Sequence, residues 1–330
     1  MSLHPAVAAV RLGVRRALAD VGPGRAVVVA CSGGPDSVAL LAATVFEGHK
    51  AGWHVVGVTV DHGLQEGSAE RAAAVVAQMA EAGAAETLTA RVHVESDGLG
   101  PEAAARRARY AVLEEVAARV DAAAVLLGHT RDDQAETVLL GLARGSGGRS
   151  LSGMRRRYDR FVRPLLDVGR ADTVTACLVE GRATWDDPHN SDPAYSRSRV
   201  RHRVLPVLEE QLGPGVAETL ARTADQLRTD MDHLDDLAES AYADLRAPDG
   251  ALPVDRLAET ADAVRRRVLR LAALAAGAPA SELFHEHVLA MDALVTDWHG
   301  QRWIDLPGPV RCRRADGRLR VERARLGSIS

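Results

Sequence analysis

Cysteine is scarce in this chain, and its three cysteines lie far apart. Cys31, Cys177 and Cys312 form no CxxC pair and have no Cys or His partner at metal-ligand spacing. This pattern excludes a disulfide framework and a structural zinc site. No apolar run approaches the roughly 18 residues of a membrane span, and the N-terminus lacks the basic start and apolar stretch of a signal peptide. We therefore expect a cytoplasmic protein with no membrane partner.

Lysine and aromatic residues are also rare. Lys50 is the only lysine, and Phe, Trp and Tyr together make up 3% of the 330 residues. The core must therefore be built mainly from Leu, Val and Ala. A formal net charge of −4 excludes a chain that is basic throughout, yet residues 144–203 hold thirteen Arg against seven Asp and Glu. The segment therefore carries a local excess of six positive charges, although a solvated, salt-bridged surface would give the same composition.

Strand and helix signals alternate through the first half of the chain. Strands are predicted at 26–30, 54–60, 87–94 and 123–127, and helices at 38–47, 68–83, 101–120 and 131–143. This order predicts an α/β fold, a parallel sheet with helices on both faces. Ligands of such sheets bind at the carboxyl ends of the strands.

The second half of the chain is predicted to be mainly helical. A Gly- and Arg-rich connection at 144–170 precedes a helix at 171–181 and a polar stretch at 183–199. Helical regions follow at 215–245 and 255–297, and short strands with a turn at Asp316–Gly317 end the chain. We predict two domains, 1–210 and 211–330.

The stretch SGGPDS, Ser32 to Ser37, lies between the first strand and the first helix of the predicted sheet. Two glycines allow a tight turn and close approach of a ligand, and amides at a helix N-terminus attract an anion. Asp36 beside an anion site suits a bridging divalent cation. The plain alternative is an ordinary turn with helix caps. The P-loop form GxxxxGK[ST] is excluded by the single lysine, and GxGxxG is absent.

Polar motifs also follow the second and fourth strands. Asp61-His62-Gly63 follows the second strand, and Gly128-His129-Thr130 follows the fourth. Three acids, Asp132, Asp133 and Glu136, then lie in the first turns of one helix, where like charges favour a cation or amine between them. An N-cap at Thr130, with Asp132 and Asp133 in the positive first turn of the helix, is a good structural explanation of the same residues.

The glycine loop resembles the PP-loop signature of ATP pyrophosphatases. The ordered set SGGPDS, VDHGL, RRARY, GHTRDDQAET, RGSG, RPLL and DPHNSDPAYSRSRVRHRVLP is similar to that of the tRNA(Ile)-lysidine synthetase family. The resemblance covers residues 25–210, and WIDLPGPV near the end resembles the tRNA-recognition domain more loosely. Longer family members carry a further C-terminal domain that a chain of this length is expected to lack.

The resemblance implies an ATP- and Mg²⁺-dependent ligase. ATP would adenylate the 2-oxygen of the first anticodon cytidine in a tRNA(Ile) with a CAU anticodon. The ε-amine of free L-lysine would then attack that carbon and expel AMP, giving lysidine. Dimers are common in the family, so a homodimer is compatible with this reading.

The resemblance also implies roles for individual residues. The nucleotide would be bound by Ser32, Gly33, Gly34, Pro35, Asp36, Ser37, Asp61, His62 and Gly128, with Asp36 as the metal ligand. The catalytic set would be Asp36, His129, Asp132, Asp133 and Glu136, in which the α-helical acids bind lysine or take its proton. The tRNA would be contacted by Arg106, Arg109, Arg144, Arg149, Arg197, Arg199, Arg201 and Arg203.

Three alternatives stay open at this point. A tRNA thiolase on the same scaffold would normally need a cysteine pair, which this chain lacks. An amidotransferase-type synthetase would need a glutamine-hydrolysing partner. A non-catalytic RNA- or nucleotide-binding module is disfavoured by the intact acids Asp36, Asp132 and Asp133.

Overall fold

The first half of the chain forms the predicted α/β sheet. The computed structural model describes residues 3–61, 67–92, 101–145, 147–187 and 191–324, without the side chains of 101–103. The strands of this sheet are β1 (Ala26–Ala30), β2 (His54–Asp61), β3 (Glu86–Arg91), β4 (Ala122–Leu126), β5 (Arg157–Tyr158) and β6 (Phe161–Val162). Their order is β3-β2-β1-β4-β6-β5, and every neighbouring pair is parallel except β5 and β6. The α/β fold is thereby confirmed.

Helices cover both faces of this sheet. The helical elements of this part of the chain are α1 (Pro5–Ala17), α2 (Pro35–Ala51), α3 (Ser68–Glu81), α4 (Pro101–Arg119), α5 (Arg131–Ala143), α6 (Gly148–Leu151), α7 (Arg170–Val179), α8 (Ser196–Arg199), a π-helical turn (Val200–Val204) and α9 (Leu205–Leu212). Alternate residues of β1 enter different cores, as the period of two in a strand requires. Val27 and Val29 pack with α1, α2 and α7, whereas Val28 packs with Leu113 of α4.

The sheet has its topological switch point between β1 and β4. The connection after β1 leads to β2 on one side, whereas β4 pairs with β1 on the other. Parallel sheets leave a crevice at such a point, outside the carboxyl ends of the strands. Two of the predicted motifs lie at this crevice: the glycine loop, which follows β1, and Gly128-His129, which follows β4.

The chain divides into two compact units, Met1–Arg228 and Thr229–Ser330. The boundary falls inside α10 (Val216–Leu245), and the later elements are β7 (Leu252–Pro253), α11 (Val254–Glu259), α12 (Asp262–Ala275), α13 (His285–Thr296), β8 (Ile304–Leu306), β9 (Val310–Ala315) and β10 (Arg318–Arg323). The second unit combines helices with an antiparallel sheet of order β7-β10-β9-β8. Asp316 and Gly317 both have positive φ, as the predicted hairpin turn requires. The predicted division at 210 and 211 stays a prediction.

Three regions are divided more finely in the structure than the sequence predicts. The connection at 144–170 contains α6, β5 and β6, which are too short to show a periodic pattern. The polar stretch at 183–199 already enters α8. The helical region at 255–297 is three helices, because Gly277 with a φ of +98° and Pro279 separate α12 from α13. No helix within the described ranges is both long and apolar enough to cross a membrane.

Candidate active site

The glycine loop joins β1 to α2 in a conformation that depends on glycine. Gly33 has a φ of +83°, and a Cβ there would lie 2.8 Å from Val75 Cγ2. Ser37 Oγ accepts from the Ser32 backbone N–H at 3.1 Å and donates to the Gly34 carbonyl at 2.9 Å. Gly34 is the N-cap, Pro35 follows it, and no side chain caps this helix end. The N-terminus of α2 therefore has no side-chain cap, and anion binding there stays a prediction.

The end of β4 lies directly against this loop. A Cβ on Gly128 would lie 3.1 Å from the carbonyl of Asp36 and from Ser37 Cα. These contacts would be tighter than most Cβ contacts in proteins, so glycine at 128 favours a close approach of the motif after β4 to the start of α2. Asp61, at the end of β2, is buried and 3.8 Å from Arg91. The predicted His62 lies outside the described residues.

A segment that sequence reasoning did not assign to the site also contacts the loop. The backbone N–H of Trp185 donates to the Gly33 carbonyl at 2.9 Å. The Arg71 guanidinium lies 4.0 Å from the centre of the Trp185 ring, within the range of a cation–π contact. These contacts tie residues near 185 to the glycine loop and to α3.

Four carboxylates and three arginines converge beside the glycine loop. We call this set the acid–arginine cluster: Asp36, Asp132, Asp133, Glu136, Arg170, Arg197 and Arg201. Arg170 reaches Asp36 at 3.4 Å, Asp133 at 2.8 Å and Glu136 at 3.2 Å. Its backbone N–H also donates to Asp132 at 2.7 Å. One arginine therefore bridges all four acids.

Glu136 is the most enclosed acid of the cluster. It is 0% exposed, and Arg170, Arg197 and Arg201 contact it at 3.2, 3.0 and 2.7 Å. The three guanidinium groups are themselves between one fifth and one third exposed. The cluster therefore presents cationic groups towards solvent and keeps its central carboxylate behind them.

Asp133 has a structural role as well as a place in the cluster. It accepts from the Thr130 backbone N–H at 2.8 Å and from the Thr130 hydroxyl at 3.0 Å, which completes a capping box on α5. Burial acts to raise its pKa, but the positive charge of Arg170 and the hydrogen bond from the Thr130 backbone N–H outweigh burial, so the pKa lies below its usual value. Asp133 is therefore held as a carboxylate.

Asp36 differs from Asp133 in its ionisation. Thr173 donates to one of its oxygens and Arg170 to the other. Burial nevertheless raises the pKa of Asp36 above its usual value, and these partners offset the effect only in part. A carboxylate with a raised pKa in a crevice is typical of a functional site.

Arg170 and Thr173 were missed by the sequence analysis. Both lie on α7, the helix predicted at 171–181, and no pattern at that helix connects it with α2 or α5. The available signal was only the position of Arg170, which follows Gly169 at the first turn of a helix after the RPLL motif. Its contacts become visible only when α2, α5 and α7 are assembled in three dimensions.

The predicted tRNA-contacting arginines fall into different environments. Residues 197–203 are helical, so Arg197 and Arg201, one turn apart, face the acids, whereas Arg199 and Arg203 are exposed. Arg106, Arg144 and Arg149 are exposed as well, and Arg109 is half-buried. Arg106 donates to the Tyr110 hydroxyl at 3.2 Å. Their contact with tRNA stays a prediction.

The donor set at Asp36 can be compared with what Mg²⁺ requires. Within the described ranges, no group of three or more His, Cys, Asp or Glu side chains could hold a metal ion. In nucleotide sites Mg²⁺ often takes one or two carboxylates and draws its other ligands from phosphates and water. Asp36 therefore fits a magnesium ion that enters with a nucleotide.

The chain is similar to known families and proteins along nearly its whole length. Residues 11–208 match the family of PP-loop domains, and residues 252–320 match the TilS substrate binding domain. The tRNA(Ile)-lysidine synthase of Thermobifida fusca is 56% identical over 96% of this chain and 98% of its own length. The tRNA(Ile)-lysidine synthase of Streptomyces coelicolor is 52% identical over 97% of this chain and 99% of its own length.

A solved structure shares the fold of a large part of the chain. A U34-tRNA thiolase from Methanococcus maripaludis with a [4Fe-4S] cluster aligns with a TM-score of 0.57 at 18% identity, covering 67% of this chain and 78% of that chain. At this identity the likeness concerns the fold alone. Since curated relatives above 50% identity are lysidine synthases, the thiolase alternative is not favoured.

Proposed function

The chain belongs to the tRNA(Ile)-lysidine synthase family, and we propose that its glycine loop and acid–arginine cluster form one active site. The protein is a ligase that uses ATP, and tRNA(Ile) is its RNA substrate. Five finer points are proposals: Mg²⁺ as the metal ion, free L-lysine as the nucleophile, a CAU anticodon, a cytoplasmic location and a homodimer.

One observation carries the proposal of a single active site. Arg170 links Asp36, at the start of α2, to Asp133 and Glu136 of α5. The anion cradle and the acids are therefore parts of one continuous set of contacts at the switch point of the sheet. A reaction between a triphosphate and an amine needs both kinds of group within reach of one another.

The glycine loop and the arginines would act in the first step. The helix end at Gly34 would hold ATP phosphates, and Arg170, Arg197 and Arg201 would turn from the carboxylates towards the developing charge. The cytidine 2-oxygen would attack the α-phosphorus, and pyrophosphate would leave. A magnesium ion at Asp36 would supply further charge neutralisation on the phosphates.

The carboxylates would act in the second step. When the arginines bind phosphate, Asp133 and Glu136 lose their present partners and can receive the ε-ammonium of lysine. The amine must lose a proton before it attacks C2 of the cytidine, and a carboxylate of the cluster would accept that proton. AMP leaves as the C–N bond forms.

Incorporation of radiolabelled lysine into a tRNA(Ile) transcript with a CAU anticodon tests this function. We expect label to enter that transcript in the presence of ATP and Mg²⁺, with AMP released. Transcripts with the anticodon C changed to U, reactions without ATP and reactions with EDTA are the controls. Tight binding of tRNA and ATP without any label would contradict the proposal and favour a binding-only protein.

A further inference from the structure

Arg163, in the RPLL motif, is a buried arginine outside the acid–arginine cluster. It is 5% exposed and donates to three acceptors: His129 Nδ1 at 3.3 Å, the Arg155 carbonyl at 2.6 Å and the Tyr110 hydroxyl at 3.3 Å. None of these is a carboxylate. The sequence analysis noted the motif but gave this arginine no role.

The sheet itself places Arg163 beside His129. Leu126 of β4 is in register with Val162 of β6, and the Leu127 N–H donates to the Val162 carbonyl at 2.9 Å. The residues that follow these strands, His129 and Arg163, therefore leave the sheet side by side. This placement is fixed by backbone pairing, so the contact does not depend on a mobile surface side chain.

The chemistry of the contact fixes the proton on the imidazole. A guanidinium group is always protonated and can only donate, so Nδ1 must offer its lone pair. A neutral ring with an unprotonated Nδ1 carries its proton on Nε2. Protonating Nδ1 would set two donors against each other in a half-buried place, so the imidazolium form is disfavoured.

We propose that Arg163 is a positioning residue that holds His129 as a neutral imidazole with its proton on Nε2. The inference rests on the proposed function, because it assumes that His129 belongs to the active site. His129 then serves as a hydrogen-bond donor to an oxygen of the nucleotide or of the attacked cytidine. It does not shuttle protons, and removal of the lysine proton falls to the carboxylates.

The surrounding charges act in the same direction. Burial is the largest influence on His129, and the nearby Arg163, Arg109 and Arg106 add to it, while Asp133 opposes them. Together they lower the pKa of His129 to about 3. The ring therefore stays neutral through the physiological pH range.

Nitrogen NMR on the full-length protein with ¹⁵N-labelled histidine tests the inference without any turnover. The His129 signals are assigned by their loss in His129→Gln. We expect Nε2 protonated, Nδ1 unprotonated and no titration between pH 5.5 and 8.5. A proton on Nδ1, or titration within that range, would overturn the proposal even if lysidine synthesis is observed.

Variants separate the role of the donor from packing. Arg163→Lys retains a donor and should keep the wild-type His129 spectrum, whereas Arg163→Met should produce an Nδ1-protonated population. Tyr110→Phe removes one partner of Arg163 and should leave the His129 spectrum unchanged. A wild-type spectrum in Arg163→Met, or an altered one in Tyr110→Phe, would contradict the inference. If Arg163→Met does not fold, the wild-type and Arg163→Lys spectra still decide.

Kinetics provide a second readout. We expect Arg163→Met to lower kcat by about tenfold or more, as is common when an orienting partner is lost, and Arg163→Lys to restore most of it. Absence of lysine incorporation in the wild type would remove the proposed function but leave the NMR result on the tautomer intact, so the two failures are distinguishable.

Discussion

Two aspartates, one in each unit, lie against arginines, yet their pKa values move in opposite directions. Burial acts to raise the pKa of Asp292, but Arg265 at 2.6 Å and Arg266 at 2.9 Å outweigh it, and the pKa lies below its usual value. For Asp36, burial prevails over Arg170 at 3.4 Å, and the pKa lies above its usual value.

The difference follows from how the arginines are shared. Arg265 is 4% exposed and gives its strongest contact to Asp292, while its other donors are satisfied by Asp262 and the Thr260 carbonyl. Arg170 is divided among the four acids of the cluster. A buried ion pair is thus not in itself a sign of function. An acid left incompletely neutralised at the carboxyl ends of parallel strands is a better one.

The largest effect that tests this comparison is expected from Asp36→Asn. If Asp36 organises phosphate binding, lysine incorporation should fall by about a thousandfold, the order seen when a charge-stabilising group is lost. Because the ionised form is disfavoured by burial, the variant should be at least as stable as wild type in thermal unfolding. Full activity of Asp36→Asn would contradict a role of this carboxylate in phosphate binding.

The converse result is expected for Asp292→Asn. Removing one partner of a buried pair leaves Arg265 with only the exposed Asp262 as its counter-ion, and the free energy of unfolding should fall by about 3 kcal/mol in urea titrations. Turnover per folded molecule should remain near the wild-type value. The matched control is Asp305→Asn, whose exposed pair with Arg311 should contribute no more than about 1 kcal/mol. Equal losses in both variants would contradict the comparison.

The same contrast explains what the sequence could predict. The alternation of strands and helices and the SGGPDS signature come from local patterns, so the sheet, the glycine loop and the acids of α5 were all expected. Arg170, Thr173 and the Arg265–Asp292 pair are joined only through long-range packing. Nothing in the local sequence distinguishes these arginines from the others of an arginine-rich chain.

The helical state of residues 197–203 illustrates a second limit. An alternating Arg pattern suits an extended segment with four arginines on one side, and it also suits a helix that separates them. In the structure this segment is helical. Arg197 and Arg201 therefore contact Glu136, whereas Arg199 and Arg203 are exposed to solvent. Periodicity over seven residues was too short to decide between the two.

A smaller difference is expected between alanine substitutions at two glycines with positive φ, one in each unit. Gly33→Ala should strain the backbone, meet Val75 and weaken ATP binding by about tenfold, which corresponds to about 1.4 kcal/mol. Gly317→Ala meets nothing within 4 Å, so it should cost only the backbone strain of about 1 kcal/mol. ATP titration and urea unfolding measure the two effects. Weakened ATP binding in Gly317→Ala would break the comparison.

The smallest effect is the pH dependence of the two aspartate variants. A lowered folded pKa means that Asp292 contributes stability above the unfolded value of about 3.9, and this contribution is lost as pH falls through the folded pKa. A raised folded pKa means that ionised Asp36 destabilises the fold at neutral pH, and this penalty disappears as pH falls through that pKa.

Urea unfolding of the wild type and both variants between pH 2 and 7.5 checks this. Relative to wild type, Asp36→Asn should lose its stability advantage and Asp292→Asn should lose its deficit as pH falls. The stability difference between Asp36→Asn and the wild type should disappear at a higher pH than the difference for Asp292→Asn. The reason is that the folded pKa of Asp36 lies above its unfolded value, whereas the folded pKa of Asp292 lies below its unfolded value. If both stability differences disappeared over the same pH range, the two aspartates would be neutralised to the same extent. The contrast between the two units would then concern only where each aspartate lies in the fold.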